Sequence, residues 1–153
     1  MSYAEANLGY GFYIPENKEN PVEMFNLLSD ENKKYLADIY GVDLEEYADH
    51  DDDGCSPTDE FSEEAWTDTI SRFLAENYPN LVVSEVGTDS YKTDNGNRVI
   101  VARATHTCTE GIALDVMLNP EAILKSDIEA LEALTGEYYE NAEIGWKLWA
   151  YLG

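Results

Sequence analysis

Hydrophobic residues change their spacing along this chain in blocks, and the helical blocks do not alternate regularly with the strand-like ones. Alternating or β-branched apolar residues predict strands, whereas a period of three to four residues with capping side chains predicts helices. The predicted strands are 8–14, 81–86, 98–107, 112–118 and 144–152, and the predicted helices are 20–28, 29–41, 62–79 and 119–136. Segregated blocks are typical of an α+β fold. We therefore expect a mostly antiparallel sheet of about five strands packed with three to four helices.

Turn and capping residues set the expected limits of several elements. Ser29 or Asp30 is suited to begin one helix, and Gly41 is suited to end it. By the same reasoning Asn119 and Gly136 bound the last helix. The run 94–97, with sequence DNGN, predicts a hairpin turn. Both ends of the chain read as strands, which makes them candidates for pairing.

The charge of the chain limits the kinds of partner that it can bind. Its 153 residues are expected to form a single acidic α+β domain spanning 1–153. They include 32 acids and 9 bases, a net charge of −23, yet the 11 Tyr and 3 Trp favour a folded chain over a disordered one. A field of this sign repels nucleic acids and anionic membranes and attracts basic proteins. We therefore expect no direct nucleic-acid or membrane binding, and a basic protein partner.

The N-terminal segment and the cysteine content predict the cellular compartment. The N-terminus lacks a basic region followed by a long apolar run, and no segment approaches the length of a membrane span. The two cysteines do not form the pattern of a disulfide framework. We expect a cytoplasmic protein in which both thiols are reduced.

Two stretches concentrate the negative charge, and they are the predicted partner-binding residues. The acidic segment, residues 43–64, holds 11 acids and no base, and its residues are Asp43, Glu45, Glu46, Asp49, Asp51, Asp52, Asp53, Asp59, Glu60, Glu63 and Glu64. Tyr47 lies within it as a candidate apolar anchor. A second stretch, 127–143, holds 6 acids and no base, and from it we select Glu129, Glu132, Glu137 and Glu140, called here the acidic helix face. A basic partner would meet these carboxylates first.

Residues 49–60, with sequence DHDDDGCSPTDE, resemble the calcium-binding loop of an EF-hand. The spacing assigns calcium ligands to Asp49, Asp51, Asp53, the Cys55 carbonyl and Glu60. The loop departs from the motif because Ser56 replaces the usual apolar residue, Pro57 stiffens the turn, and no second loop accompanies it. The alternative interpretation of the chain is therefore a calcium-binding module with a single EF-hand-like loop.

Residues that would support catalysis or zinc binding are sparse. His106 and Cys108 lie two positions apart, and His50 and Cys55 are the other possible zinc ligands, but no CxxC pair exists. A nucleophile beside a base and a third orienting group is not evident, and neither a P-loop nor a dinucleotide fingerprint occurs. We expect a non-enzymatic protein without a required cofactor.

Dense carboxylates on a folded, aromatic-rich domain can imitate the phosphates of duplex DNA. In size, charge and lack of catalytic motifs the chain resembles the small acidic inhibitors that bacteriophages make against restriction or CRISPR nucleases. That resemblance implies an inhibitor that occupies the basic groove of a DNA- or RNA-binding protein, in the host cytoplasm. Tyr47 or Trp149 would then add apolar contact to the electrostatic attraction.

Overall fold

The computed structural model of the chain describes residues 4–14, 21–41, 63–86, 98–109 and 123–152. The chain divides into two compact units. The first unit comprises residues 1–19 and 79–153, and the second comprises residues 20–78. That both units belong to a single domain spanning 1–153 stays a prediction.

The described residues form four α-helices and one five-stranded antiparallel sheet, which confirms the α+β fold. The strands are β1 (Ala4–Tyr13), β2 (Leu81–Glu85), β3 (Arg98–Ala102), β4 (Thr107–Thr109) and β5 (Gly145–Leu152). The helices are α1 (Pro21–Leu27), α2 (Asp30–Tyr40), α3 (Glu63–Asn77) and α4 (Lys125–Tyr138). None of the helices in these ranges is long and apolar enough to cross a membrane. The predicted strand 112–118 and turn 94–97 lie outside the described residues.

Strand β1 is the centre of the sheet in the first unit. Along one edge it pairs with β5, from Ala4 opposite Leu152 to Gly11 opposite Gly145. Along its other edge it pairs first with β4 and then with β3, and β2 pairs with the far side of β3. The pairing of the two terminal strands confirms the prediction from the sequence.

A 3₁₀ turn at Arg103–Thr105 divides the single strand predicted at 98–107 into β3 and β4. The Thr105 hydroxyl accepts a hydrogen bond from the Tyr10 N–H at 2.8 Å and donates one to the Ala102 carbonyl at 2.9 Å. The turn thus satisfies a backbone group of β1 that an uninterrupted strand would have paired. The prediction of one strand was wrong because β-branched residues favour strands locally, whereas this hydroxyl has its partner on another strand.

Two glycines in β1 permit an unusually close approach of β3. A Cβ atom at Gly11 would overlap the carbonyl oxygen of Ile100 and lie 2.6 Å from the Cα of Val101. A Cβ atom at Gly9 would lie 2.8 Å from the Cβ of Val101. A Cβ atom would therefore clash with backbone atoms at Gly11 but with the Val101 side chain at Gly9. A second substitution could remove the clash at Gly9 but not the clash at Gly11.

Helix α4 packs against β2 and β3 on one face of the sheet. Its Leu131 and Leu134 are fully buried. Just past its C-terminus, the Tyr139 ring lies against Phe12 of β1, with the ring centroids 5.4 Å apart. Since alternate residues of a strand share a face, the α4 side of β1 carries Phe12 and Tyr10.

The opposite face of the sheet is built around Val99, Val101 and Trp149, which form one buried cluster with Val86. Tyr13 packs against this cluster, and its hydroxyl donates to the carbonyl of Leu148 in β5 at 3.2 Å. Burial raises the pKa of the Tyr13 hydroxyl. The glycines of β1 lie on this face, so aromatic and branched side chains from neighbouring strands pack over a backbone that carries no side chain of its own.

In the second unit, α1 and α2 each pack against α3. Ser29 caps α2 by accepting a hydrogen bond from the Asn32 N–H, and Gly41 ends it with a φ of 65°, as the sequence predicts. The helical period also predicts Ile39 on the inward side, but Ile39 is 52% exposed. That prediction was wrong because α2 buries only a narrow strip, centred on Leu36.

The predicted limits of the last helix were also wrong. Helix α4 begins at Lys125, with Leu124 at the capping position and no side-chain cap hydrogen bond, rather than after Asn119. It also continues through Gly136 to Tyr138. The helix extends past the glycine to the point where Tyr139, directly after its last residue, is buried against Phe12.

Candidate functional site

The acidic segment falls largely outside the described residues. Of its members, Glu63 begins α3 and Glu64, in the next position, is exposed to solvent. Residues 43–60, which include Tyr47 and every ligand of the EF-hand-like loop, are not described. Within the described ranges, no group of three or more His, Cys, Asp or Glu side chains could hold a metal ion. The calcium interpretation therefore stays a prediction.

The acidic helix face is described in full and lies at the surface of the first unit. Glu129, Glu132 and Glu137 project from α4, Glu140 follows its C-terminus, and all four are exposed. The opposite side of α4 carries the buried Leu131. Lys125 approaches Glu129 at 3.8 Å, but both side chains are mostly in solvent, where such a pair contributes little.

The spacing of these carboxylates can be compared with that of a nucleic acid. Glu129 and Glu137 are separated by about 12 Å along the helix axis, at ~1.5 Å per residue. Three charges over that length correspond to roughly one per 6 Å, against about one per 3.4 Å for a single strand of duplex DNA. The acidic helix face alone thus reaches about half the linear charge density of one strand.

Most of the acidic side chains that the structure describes lie at the surface. The exposed ones are Glu23, Asp30, Glu31, Asp38, Glu64, Glu76, Glu129, Glu132, Glu137, Glu140 and Glu143. Asp68 and Glu85 are partly buried, and Asp127 is buried. None of the four helices has a basic residue in its last turn, where a positive charge would stabilise the helix dipole. Most of the described carboxylates therefore face solvent, and no last-turn basic residue offsets the dipoles of these helices.

Some of the acids in the second unit have a structural role. Asp68 accepts hydrogen bonds from the Tyr40 hydroxyl at 3.0 Å and from Arg72 Nε at 3.1 Å. Arg72 also donates to the Asn32 side chain at 2.7 Å, and the Asn32 amide donates to Glu76 at 2.6 Å. This chain of hydrogen bonds joins α2 to α3. Asp68 and Glu76 therefore help to hold the two helices together.

The pKa values in this network follow from its contacts. Burial and the hydrogen bond to Asp68 raise the pKa of Tyr40 to about 12. Partial burial acts to raise the pKa of Glu76, but hydrogen bonds from Ser29 and Asn32 outweigh it and lower that pKa. Both shifts keep the network in its hydrogen-bonded form at neutral pH.

Asp127 differs from the other acids of the 127–143 stretch because it is only 3% exposed. Its Oδ2 atom is buried and has no hydrogen-bond partner among the described residues. It lies in the first turn of α4, where a carboxylate interacts favourably with the helix dipole. Asp127 therefore does not contribute to the charged surface that a partner would meet.

Of the residues considered for zinc or nucleophilic chemistry, the structure describes His106 and Cys108, whereas His50 and Cys55 lie outside the described residues. His106 follows the 3₁₀ turn and stacks on Trp149, with centroids 5.8 Å apart, and burial lowers the pKa of its imidazole. Cys108 lies on β4 and is exposed. Trp149 is only 4% exposed, so it is not available as the apolar anchor that the sequence suggested.

Sequence reasoning missed a different aromatic group on the same strand. Trp146 and Leu148 lie on the face of β5 opposite to Trp149, and Trp146 contacts Tyr10 across the strand pair, with ring centroids 5.6 Å apart. Leu148 is 49% exposed. The alternation along β5 predicted aromatic residues on both faces, but it carried no signal as to which face is covered.

Comparison of the chain with protein-family models, with curated protein sequences and with solved structures finds no match.

Proposed function

We propose that this protein is a non-enzymatic acidic inhibitor that binds the basic, nucleic-acid-binding groove of another protein. The observation that carries the proposal is the display of carboxylates at the surface, of which the acidic helix face is the best-described example. The acidic segment, residues 43–64, would form the main contact, because 11 of its 22 residues are acidic and none is basic. The acidic helix face would form a second contact.

Electrostatic physics supports this partner class. A chain of net charge −23 accelerates its encounter with a basic groove and is repelled by DNA itself. Since the acidic helix face has only about half the charge density of one DNA strand, the acidic segment would have to supply the remainder. The predicted binding is therefore rapid, strongly weakened by salt and independent of calcium.

The test is displacement of DNA from its binding proteins. A fluorescently labelled duplex is bound to each of a panel of purified basic proteins, including restriction and CRISPR nucleases, and the chain is added while anisotropy is followed. We expect displacement from at least one panel member at about 50 mM salt and much weaker displacement at about 200 mM, as expected for competition dominated by charge. Failure to displace the duplex from any member would overturn the proposal.

A pair of matched variants tests which surface is used. In one, Glu129, Glu132, Glu137 and Glu140 are all changed to Gln. In the other, the same number of charges is removed elsewhere, by Glu23→Gln, Asp30→Asn, Glu31→Gln and Asp38→Asn. Both variants lose four negative charges, so any difference between them reports position rather than net charge. Equal displacement by the two variants would exclude the acidic helix face. A third variant, in which the acidic segment is neutralised, tests that segment, and undiminished displacement by it would exclude the segment.

A further inference from the structure

An accessible apolar patch lies beside β1 in the first unit. Tyr10 and Trp146 are directly opposite each other in the β1–β5 pairing, and their rings meet edge to face at 5.6 Å with an interplanar angle of 78°. Leu148, two residues further along β5, shares the face of Trp146. Both rings are partly exposed and Leu148 is 49% exposed. We call Tyr10, Trp146 and Leu148 the aromatic patch.

The aromatic patch adjoins the C-terminal end of α4. Tyr139, which follows the last turn of that helix, packs on Phe12, and Phe12 is the next residue after Tyr10 on the same face of β1. Glu140 follows Tyr139 directly, and Glu143 lies three residues before Trp146. Both carboxylates are exposed. Apolar and negatively charged groups therefore adjoin one another at this end of the sheet.

The electrostatic environment of the aromatic patch favours a cation. The C-terminal end of a helix carries partial negative charge, which proteins usually offset with Lys, Arg or His. The last turn of α4 has no basic residue, and no base occurs between Lys125 and Lys147. Lys147 lies on the other face of β5 by strand alternation, with its Nζ 5.4 Å from the centroid of the Tyr13 ring. The last turn of α4 and the sequence that follows it up to Lys147 therefore supply no positive charge of their own.

We propose that the aromatic patch, together with Glu140 and Glu143, is a docking surface for a basic segment of a partner protein. Arginine or lysine side chains of that segment pair with the two carboxylates and lie against the Tyr10 and Trp146 rings, and apolar side chains cover Leu148. A second copy of this chain does not fit, because each copy carries a net charge of −23. This inference rests on the proposed function for the basic character of the partner and adds the residues that prolong the complex.

Charged and apolar contacts affect different rate constants in protein association, which is the physical reason for such an anchor. Surface charges mainly increase the association rate, and they are screened by salt. Buried aromatic side chains at the centre of an interface mainly slow dissociation. The edge-to-face contact holds the Tyr10 and Trp146 rings in place before binding, so little side-chain entropy is lost when a partner covers them.

The experiment uses two synthetic peptides of equal length and equal positive charge as probes. One peptide alternates Arg with Leu so that one side is apolar, and in the other every Leu is replaced by Ser. Binding of each peptide to the full chain is followed by calorimetry and by NMR of the ¹⁵N-labelled protein. We expect the Arg/Leu peptide to bind more tightly by on the order of tenfold, with signal changes centred on β5 and the end of α4.

Three variants make the result decisive. Trp146→Ser and, as a milder change at an exposed position, Leu148→Ser should each reduce the advantage of the Arg/Leu peptide. Leu124→Ser is the control, since Leu124 is 53% exposed before the other end of α4 and should leave the advantage unchanged. Equal binding of the two peptides to the unaltered chain would refute the docking surface.

The outcomes of this experiment are separable from those of the DNA-displacement test. Displacement of DNA together with equal binding of both peptides would retain the proposed inhibitor and overturn the docking surface. Preference for the Arg/Leu peptide that is lost in Leu148→Ser, without any displacement of DNA, would retain the docking surface and overturn the inhibitor.

Discussion

The contact between Gly11 and β3 makes the sharpest stability prediction for this protein. In Gly11→Ala, the new methyl group would overlap the Ile100 carbonyl oxygen and crowd the Val101 Cα. Neither neighbour can rotate away because both atoms are backbone. The two strands would have to separate at the point where Gly11 pairs with Val101 on one side and with Gly145 on the other.

The magnitude follows from two contributions. Forcing an extra methyl group into a packed site costs about 1–3 kcal/mol. Separating the strands also weakens roughly two ladder hydrogen bonds, at about 1 kcal/mol each. We therefore expect Gly11→Ala to lower the free energy of unfolding by about 3–5 kcal/mol, a large share of the ~5–15 kcal/mol available to a typical protein.

The measurement is urea unfolding followed by circular dichroism and tryptophan fluorescence. Gly136→Ala is the matched control, because a Cβ atom there meets nothing within 4 Å and the position is helical. That change should stabilise the protein by about 0.5–1 kcal/mol. If Gly11→Ala also stayed within about 1 kcal/mol of the unaltered protein, the close contact between β1 and β3 would be refuted.

A double-mutant cycle separates the two glycines. At Gly9 the obstructing atoms all belong to the Val101 side chain. Val101→Gly, which removes all three atoms, should therefore relieve Gly9→Ala, with a coupling energy on the order of 1 kcal/mol, but should not relieve Gly11→Ala. Equal coupling at both positions would show that the strain at Gly11 does not come from the backbone.

Two further predictions concern protonation and calcium. Burial holds the pKa of His106 below its ordinary value of 6.5, so the unfolded chain takes up a proton first as the pH falls. The free energy of unfolding should therefore decrease as the pH falls below ~6.5. His106→Phe, which keeps a ring on Trp149, should remove this decrease, measured as the difference between urea midpoints at about pH 7.5 and 5.5. The control variant His50→Gln should not. If the EF-hand-like loop binds calcium, calcium should raise the melting temperature, magnesium at equal ionic strength should not, and Glu60→Gln should abolish the effect of calcium. Small and equal shifts with both cations would instead indicate screening of charge.

Local signals in the sequence were reliable where their physical cause is local. Ser29 and Gly41 bound α2 as predicted because a side-chain cap and a left-handed glycine act within one turn of the helix. Asn119 and Gly136 carry similar signals, yet α4 begins and ends elsewhere. At Gly136 the burial of Tyr139 just beyond the glycine outweighed the preference of a single residue.

The less predictable features depend on contacts between distant residues. Thr105 interrupts a β-branched run because its hydroxyl meets the backbone of Tyr10, 95 positions earlier. For the candidate site, the sequence predicted a charged surface in the 127–143 stretch, and Glu129, Glu132, Glu137 and Glu140 are exposed there. It did not distinguish Trp146 from the buried Trp149, because strand alternation separates two faces without indicating which of them is covered.

The central position of β1 has a consequence for how the protein is made. Hydrogen-bonded neighbours of this strand come from the far half of the chain, and Tyr13 contacts the Leu148 carbonyl 135 positions away. Contacts of such long range slow folding, because the ends of a long loop must first be brought together. During synthesis β1 emerges before any of its hydrogen-bonded neighbours, whereas residues 20–78 draw on contiguous sequence. We therefore expect the second unit to acquire structure on the ribosome before the sheet of the first unit is complete.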